Sequence, residues 1–205
     1  MNHFFINSVS RYYRLKARFY YRRIFGHIGA GSCIMKPVGL FNPECIHIGN
    51  GVQIRHGARI EAVRERAGVF FSPRIEIGDG TSIEQGFHLA CAEQIIIGKH
   101  VAITEYVGIF DIWHLYEDIQ VPIKDQPLKT SPVKIGDHSF IGMGAVIQPG
   151  VIIGKHCVIG ANSVVIRSIP DYSVAVGLPA KVIRRFDPVA SQWIKVTENI
   201  SGNQS

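Results

Sequence analysis

The sequence predicts an all-β protein in which short parallel strands are stacked as successive coils. Three observations support this fold class. The 205 residues include 30 Ile and 19 Val but only 6 Leu, and β-branched residues fit pleated strands better than helices. Gly accounts for 21 residues, which indicates many turns. Aliphatic residues recur at every sixth position, a spacing that neither a helix nor simple strand alternation produces.

The six-residue spacing identifies the repeating unit. It continues through four runs, which are Ile48–Ile60, Ile77–Ile95, Ile97–Ile109 and Ile135–Val165. The residue after the aliphatic is often Gly, and the residue four positions after it is small or β-branched. Each hexad is expected to supply one strand and one turn. Three hexads then form a triangular coil of about 18 residues, and stacked coils bury a continuous column of Ile and Val.

The N-terminal segment, residues 1–26, carries the whole net charge of +6. Six of the 22 basic residues precede residue 24 and the first acidic residue is Glu44, so 16 basic residues remain to balance 16 acidic ones. Basic and aromatic residues alternate from 7 to 25, which predicts a helix with a basic face. This helix is expected to cap the β domain, to contact an anionic membrane surface, or to do both. The balanced body argues against nucleic-acid binding.

Several classes of protein are disfavoured by what the sequence lacks. It shows neither 18 consecutive apolar residues nor a cleavable signal, so we expect a cytoplasmic protein. If it contacts the inner face of the membrane, we expect the contact through residues 7–25. The four cysteines include no CxxC pair, which disfavours a zinc ribbon or a redox dithiol. The nine histidines show no metal-ligand spacing, so no metal site is expected.

The repeat and two further segments resemble the hexapeptide-repeat acyltransferases, and within them the sugar and polysaccharide O-acetyltransferases. The segments are Ile-Gly-Met-Gly-Ala-Val-Ile-Gln-Pro-Gly-Val at 141–151 and Val-Gly-Leu-Pro-Ala-Lys-Val-Ile at 176–183. The resemblance implies a left-handed parallel β-helix over residues 27–186, whereas crossovers between parallel strands are otherwise right-handed. It also implies acetyl-CoA as co-substrate and a homotrimer with active sites between subunits.

An interruption of the repeat is the expected site of chemistry. The spacing stops at Ile109 and resumes near Val133, which predicts an inserted loop over residues 111–132. Within it, His114 lies three residues after Asp111 and three before Glu117. The family's catalytic histidine occurs in an Asp-x-x-His segment, often Asp-His-x-His, and here Ile112 replaces the first histidine.

The resemblance therefore implies that His114 is the general base for the acceptor hydroxyl, oriented by Asp111 or Glu117. A neutral imidazole suits that role near pH 7. The alternative is that His114 is an ordinary loop histidine.

The resemblance also assigns weaker roles to residues outside the loop. It implies that His88 contacts the acceptor. Glu105 is expected to face the same cleft because of its position eight residues after Ile97. Gly142, Gly144 and Ala161 are expected to lie along the pantetheine arm of CoA, and Lys181 and Arg184 to meet its phosphates. For the charged residues and the coil residues alike, the alternative is a plain surface position.

The leading function is acetyl-CoA-dependent O-acetylation of a sugar in a surface polysaccharide or its lipid-linked precursor. An N-acetyltransferase of a nucleotide-linked amino sugar and a non-catalytic β-helix scaffold remain alternatives. Residues 187–205 are expected to form a short helix, near Ser191 to Val196, followed by a tail.

Overall fold

In the computed structural model, which describes residues 11–196, the chain winds into a three-sided parallel β-helix. Each turn contributes one strand to each of three sheets, numbered here in the order in which the chain enters them. Sheet 1 contains His27–Ile28, Ile46–Ile48, Arg74–Ile77, Gln94–Ile97, Val133–Ile135 and Ile152–Ile153. Sheet 2 contains Cys33–Ile34, Gln53–Ile54, Ser82–Ile83, Ala102–Ile103, Phe140–Ile141, Val158–Ile159, Ser173–Gly177, Ala180–Asp187 and Gln192–Lys195. Sheet 3 contains Gly39–Phe41, Arg59–Ala62, His88–Cys91, Gly108–Phe110, Val146–Ile147 and Val164–Val165.

The coils stack in register, so equivalent aliphatic residues lie directly above one another. In sheet 1, Ile77 pairs with Ile97 and Ile97 with Ile135, and Ile135 pairs with Ile153. The step from Ile135 to Ile153 is 18 residues, as expected for three hexads, but the step from Ile77 to Ile97 is 20. The earlier coil is longer because its strand Gln94–Ile97 buries both Ile95 and Ile97.

The core follows the hexad pattern. The aliphatic residues of the repeat are buried, and the small residues four positions later are buried too, each at 0–1% exposure. These small residues are Val52, Thr81, Val101, Val107, Ser139, Ala145, Val151, Cys157 and Ser163. The hydroxyl groups among them join neighbouring coils: Thr81 Oγ1 donates to the carbonyl of Gly98 at 2.8 Å and accepts from the amide of Val101 at 3.1 Å. The buried hydroxyl of Thr81 is thereby satisfied as donor and as acceptor.

A helical segment covers the first coil. Residues 11–24 are helical, with a π-helical stretch at Ala17–Tyr21 and a last turn at Arg22–Ile24. The side chains of Ala17, Tyr21 and Phe25 are buried in the same core as Ile28. The segment therefore caps this end of the β-helix. Residues 1–10 of the expected N-terminal helix lie outside the described part.

The expectation of a C-terminal helix near Ser191 to Val196 is wrong. Gln192–Lys195 is a strand that pairs antiparallel with Ala180–Asp187, and residues 197–205 lie outside the described range. The ring of Trp193 lies 5.7 Å from that of Phe186 and 6.5 Å from that of His156. The preceding strand offers an unpaired edge, and the aromatic contacts add to the pairing. Together they favour an extended strand over the helix that the local sequence prefers.

The remaining regular elements lie in turns and insertions. These are the 3-10 turns Pro43–Cys45 and Ile123–Asp125 and the strand pairs Glu65–Arg66 with Val69–Phe70 and Ile112–His114 with Leu128–Thr130. Within residues 11–196 no helix combines the length and apolar character needed to cross a bilayer.

Two adjacent isoleucines offer a test of the core. Ile153 is fully buried, whereas Ile152 in the same strand is 54% exposed. Ile153→Ala is expected to lower the free energy of unfolding by about 2–5 kcal/mol because it leaves a cavity. Ile152→Ala is the matched control and should change it by no more than about 0.5 kcal/mol. Chemical denaturation measures both, and equal losses would contradict the inward and outward alternation.

Candidate active site

Two insertions leave the β-helix at the same corner, between sheet 3 and sheet 1. From Leu89 in sheet 3, the chain reaches Ile95 in sheet 1 after six residues. The equivalent step from Ile60 to Ile75 takes 15, and the step from Ile109 to Val133 takes 24. Insertions of nine and 18 residues therefore project from this edge, with one uninterrupted coil between them. The second is the loop predicted at residues 111–132.

The strands of sheet 3 and the two insertions enclose a cavity of about 550 Å³. Sheet 3 supplies Arg59, Glu61, His88, Ala90 and Phe110; the insertions supply Val63, Glu65, Arg66, Ile112, His114 and Leu128. The structure thus brings His114 and His88 to one site, as the sequence analysis expects. It also places two arginines and two glutamates there.

The strand pair within the second insertion holds His114 at the cavity. Ile112–His114 runs antiparallel to Leu128–Thr130, with His114 opposite Leu128. The side chain of Leu128 is buried, while that of His114 is exposed. The buried Gln126 fixes the far end of the loop by donating to the carbonyls of Asp118 at 2.7 Å and Val121 at 2.8 Å. The histidine therefore sits on a hydrogen-bonded ribbon and remains accessible to solvent.

Charged groups line the sheet 3 side of the cavity. A guanidinium nitrogen of Arg59 lies 2.6 Å from a carboxylate oxygen of Glu61, and its carbon lies 4.7 Å from the centre of the Phe41 ring. These contacts fix the direction of both charged side chains. Across the cavity, Arg66 donates to the backbone carbonyl of Lys124, which links the two insertions.

These neighbours determine the position and the protonation of His88. It lies between Arg59 and Gly108 in the ladder of sheet 3, and its ring meets that of Phe110 edge-on at 5.2 Å. Burial lowers the pKa of His88, and the Arg59 guanidinium lowers it further against the opposing effect of Glu61. The imidazole therefore favours its neutral form, in which one nitrogen donates and the other accepts a hydrogen bond.

Asp111 anchors the loop and makes no described hydrogen bond to His114. Its buried carboxylate accepts hydrogen bonds from the amides of Ala92 and Glu93, both at 2.8 Å, and from the Cys91 thiol at 3.2 Å. Burial raises the pKa of Asp111, while the two amide bonds oppose that shift. Burial also raises the pKa of Cys91, and the adjacent carboxylate adds to the effect, so the thiol stays protonated and able to donate.

The other two carboxylates expected at the site lie elsewhere. Glu117 is exposed farther along the loop, where it accepts from the amide of Tyr116 at 3.0 Å. Glu105 lies at the corner between sheets 2 and 3 and is not part of the cavity wall. Its carbonyl accepts from the amide of Gly144 at 2.9 Å, so Glu105 belongs to the edge on which the expected CoA-binding residues lie.

The expected CoA-binding residues occupy that second edge of sheet 3. Gly142, Gly144 and Ala161 lie at stacked corners between sheets 2 and 3. Gly142 is buried, and a Cβ there would lie 2.6 Å from the amide nitrogen of Ala161, so coil stacking alone requires glycine. Gly144 has a φ of +68°, which also favours glycine.

Lys181 and Arg184 lie on the returning strand Ala180–Asp187, and both are exposed. Lys181 pairs with Val176, close to the end of this edge, whereas Arg184 pairs with Val174 farther back along sheet 2. The corner residues Gly142, Gly144 and Ala161 therefore form one strip with Lys181 along this edge, with Arg184 set back from it. Sheet 3, about 10 Å wide at three residues per strand, separates this strip from the edge that carries His114.

Sequence reasoning missed Arg59, Glu61, Glu65 and Arg66 at the cavity. The available signal was the break in the hexad spacing after Ile60, together with the charged segment Arg64-Glu65-Arg66. Among residues 11–196, no group of three or more His, Cys, Asp or Glu side chains is arranged to hold a metal ion.

Comparison with known proteins gives the same assignment as the repeat. The family description "Bacterial transferase hexapeptide (six repeats)" matches residues 132–167. A putative lipopolysaccharide biosynthesis O-acetyl transferase of Escherichia coli is 31% identical over 166 residues, which cover 78% of this chain and 81% of that protein. The chain belongs to the hexapeptide-repeat acetyltransferases.

A second relative is larger. A probable acetyltransferase of Mycobacterium tuberculosis is 35% identical over 161 residues, covering 71% of this chain but 53% of that protein. The chain thus spans about half the length of this relative.

Two solved structures of acyl-transferring enzymes share the fold. An acetyltransferase of Vibrio cholerae in complex with acetyl coenzyme A matches with a TM-score of 0.58 and 26% identity, over 88% of this chain and 86% of that one. An N-acyltransferase of Bacillus cereus in complex with dTDP and coenzyme A matches with a TM-score of 0.66 and 24% identity, over 82% and 87%. The solenoid of this chain is the left-handed parallel β-helix of the family.

The anchoring role of Asp111 generates a test. Asp111→Ala removes the acceptor for two amides and one thiol, and is expected to lower the free energy of unfolding by about 2–4 kcal/mol. Glu117→Ala, the matched control, removes one exposed acceptor and should leave stability within about 0.5 kcal/mol. Denaturant unfolding compares the two. An unchanged midpoint for Asp111→Ala would contradict the anchoring role.

Proposed function

We propose that this protein is an acetyl-CoA-dependent O-acetyltransferase that acts on a sugar hydroxyl, with His114 as general base. The observation that carries the proposal is the exposed imidazole of His114 in the lining of a cavity with both charged and apolar walls, one sheet width from an edge of stacked small residues. Membership of the hexapeptide-repeat acetyltransferases supports the acyl donor, as does the solved relative in complex with acetyl coenzyme A.

The chemistry needs one proton carrier and a fixed acceptor. His114 removes the proton of the acceptor hydroxyl as its oxygen bonds to the acetyl carbonyl carbon. When the carbon–sulfur bond breaks, the protonated imidazole returns the proton to the departing sulfur. The products are an acetyl ester and a free CoA thiol, and His114 is neutral again.

The cavity suits a sugar in size and in lining. Its volume of about 550 Å³ is that of a small-molecule site. Arg59, Glu61 and the neutral His88 offer donors and acceptors in fixed directions, while Phe110 presents an apolar ring. Such a mixture matches the hydroxyl groups and apolar faces of a pyranose. A glycan precursor of a surface polysaccharide is the proposed class of acceptor, supported by the Escherichia coli relative.

A hydroxyl is preferred over an amine as the acylated group. The Escherichia coli relative, aligned over 78% of this chain and 81% of its own length, is named an O-acetyl transferase. The N-acyltransferase among the solved structures is 24% identical, a likeness that supports the fold and not the acceptor. Paired assays on a sugar and on the corresponding amino sugar separate the two functions, because O-acetylation gives an ester and N-acetylation gives an amide.

His114→Ala is expected to lower turnover by a factor of about 10²–10⁴ at saturating substrates, because proton transfer loses its carrier. Binding of acetyl-CoA, measured by calorimetry, should stay within about threefold, since the histidine is proposed to act on the acceptor. Thiol release measures the turnover.

A histidine outside the cavity provides the control. His100 lies in a turn with a φ of 52°, stacked on His138 at 5.4 Å, and His100→Asn keeps a residue that tolerates this backbone. It should retain turnover. Near-normal turnover of His114→Ala would overturn the catalytic role, and an absence of acetyl-CoA binding to the folded wild type would favour the scaffold alternative.

The proposed assembly is a homotrimer in which CoA and acceptor meet between subunits. The outer face of sheet 2 and the corner beside it carry the exposed apolar side chains of Phe140 and Met143, which fits burial against further copies. Light scattering of the purified chain should give three times the monomer mass of 22.8 kDa. A mass of one subunit across a concentration series would contradict this assembly.

A further inference from the structure

A second cavity lies far from the His114 site, between the N-terminal helical segment and the first coil. Its volume is about 540 Å³. One wall is formed by the side chains of Arg11, Arg14, Leu15, Ala17, Arg18 and Arg22. The other wall is formed by residues 27–32 and Asn50. We call this cavity the arginine groove.

The four arginines of the groove share one face of the helical segment. Their spacing of three, four and four residues brings them together, and like charges so placed repel one another. Among the described residues 11–196, none that lines the groove is acidic. Within residues 11–196, the ion pairs involve cations other than these four. Such a cluster is suited to an anion from outside the chain.

The chemistry of the cluster points to phosphate. A guanidinium presents planar paired donors that match the oxygens of a phosphate group, and it keeps its charge at any physiological pH. The groove, with a volume of about 540 Å³, is large enough for a headgroup but too small to enclose a nucleic-acid duplex, whose major groove alone is about 12 Å wide. The charge balance of the remaining chain also disfavours an extended nucleic-acid surface.

The same segment exposes apolar and aromatic side chains to solvent. Tyr12 is 61% exposed, Phe19 58% and Tyr20 55%, while Tyr13 and Tyr21 are buried against the β-helix. Aromatic residues beside basic ones are typical of segments that lie in the interfacial region of a membrane. This exposure has no role in capping the first coil, since other residues do that.

We propose that the arginine groove binds the phosphate groups of anionic membrane lipids, while Tyr12, Phe19 and Tyr20 enter the headgroup region. The capped end of the β-helix then rests on the membrane. Sheet 3, with its cavity, stands beside the surface, within reach of acceptors held there. This proposal does not rest on acetyl transfer. Membrane binding can fail while the acetyltransferase function holds, and the reverse is also true.

Vesicle co-sedimentation of the full chain tests the proposal. The protein is expected to bind phosphatidylcholine vesicles that contain phosphatidylglycerol and not vesicles of phosphatidylcholine alone, with affinity that falls as salt rises. Arg14→Gln with Arg18→Gln should lower the partition coefficient by roughly thirtyfold, the effect of two basic residues at a lipid surface.

Two further variants separate the groove from diffuse charge. Lys134→Gln with Arg167→Gln removes the same charge from exposed positions on the β-helix and should change partitioning by less than about twofold. Arg14→Lys with Arg18→Lys keeps the charge but loses the paired donors, so its partitioning should fall between wild type and the Gln pair. Thermal unfolding of each variant shows that it is folded.

Three results would overturn the proposal. One is equal binding to neutral and anionic vesicles. Another is an equal loss for the control pair and the groove pair, which would show diffuse charge only. The third is binding of inorganic pyrophosphate or duplex DNA through Arg14 and Arg18 without any binding to vesicles, which would assign the groove to a soluble ligand or a nucleic acid.

Discussion

The in-register stacking of coils is the constraint on which the rest of the molecule depends. Adjacent strands in a parallel sheet lie about 4.8 Å apart, so every coil must repeat the path of the one below it. A Cβ on Gly78 would lie 2.6 Å from the carbonyl carbon of Gly98 in the next coil, which shows how little space the corners leave. Buried small residues and hydroxyl bridges such as that of Thr81 follow from the same restriction. Inserted residues are therefore accommodated only as loops that project outward from a corner of the β-helix.

That restriction places the candidate site. Both insertions leave at the corner between sheets 3 and 1, and the outward-facing side chains of sheet 3 form the floor between them. Asp111 joins the second insertion to the turn of the preceding coil, and Arg66 joins the first insertion to the second. The cavity is thus assembled from elements that a rigid solenoid keeps at fixed separations, with the loops adding the specific groups.

The hexad spacing was sufficient to predict the solenoid and its buried small residues, because both follow a simple six-residue period. It also predicted the long loop, because the period stops there and resumes later. The first insertion was hidden because Ile60 and Ile77 are 17 residues apart, nearly the length of one coil. The burial of Asp111 depends on amides about 20 residues earlier, and no local pattern carries that contact. The strand Gln192–Lys195 forms because Ala180–Asp187 offers an edge for pairing. The local sequence does not contain that edge, and by itself it suggested a helix.

The two ends of the solenoid have a consequence for its solubility. A parallel β-helix repeats its strand edges in register, and an uncovered terminal coil would be a template on which another molecule could continue the stack indefinitely. Here the buried rings of Tyr21 and Phe25 cover one end. At the other end only sheet 2 continues, through Ala180–Asp187 and Gln192–Lys195, so a newcomer there does not find the edges of all three sheets at one level. The termini therefore act as stops against fibre growth, and the molecule has a defined length.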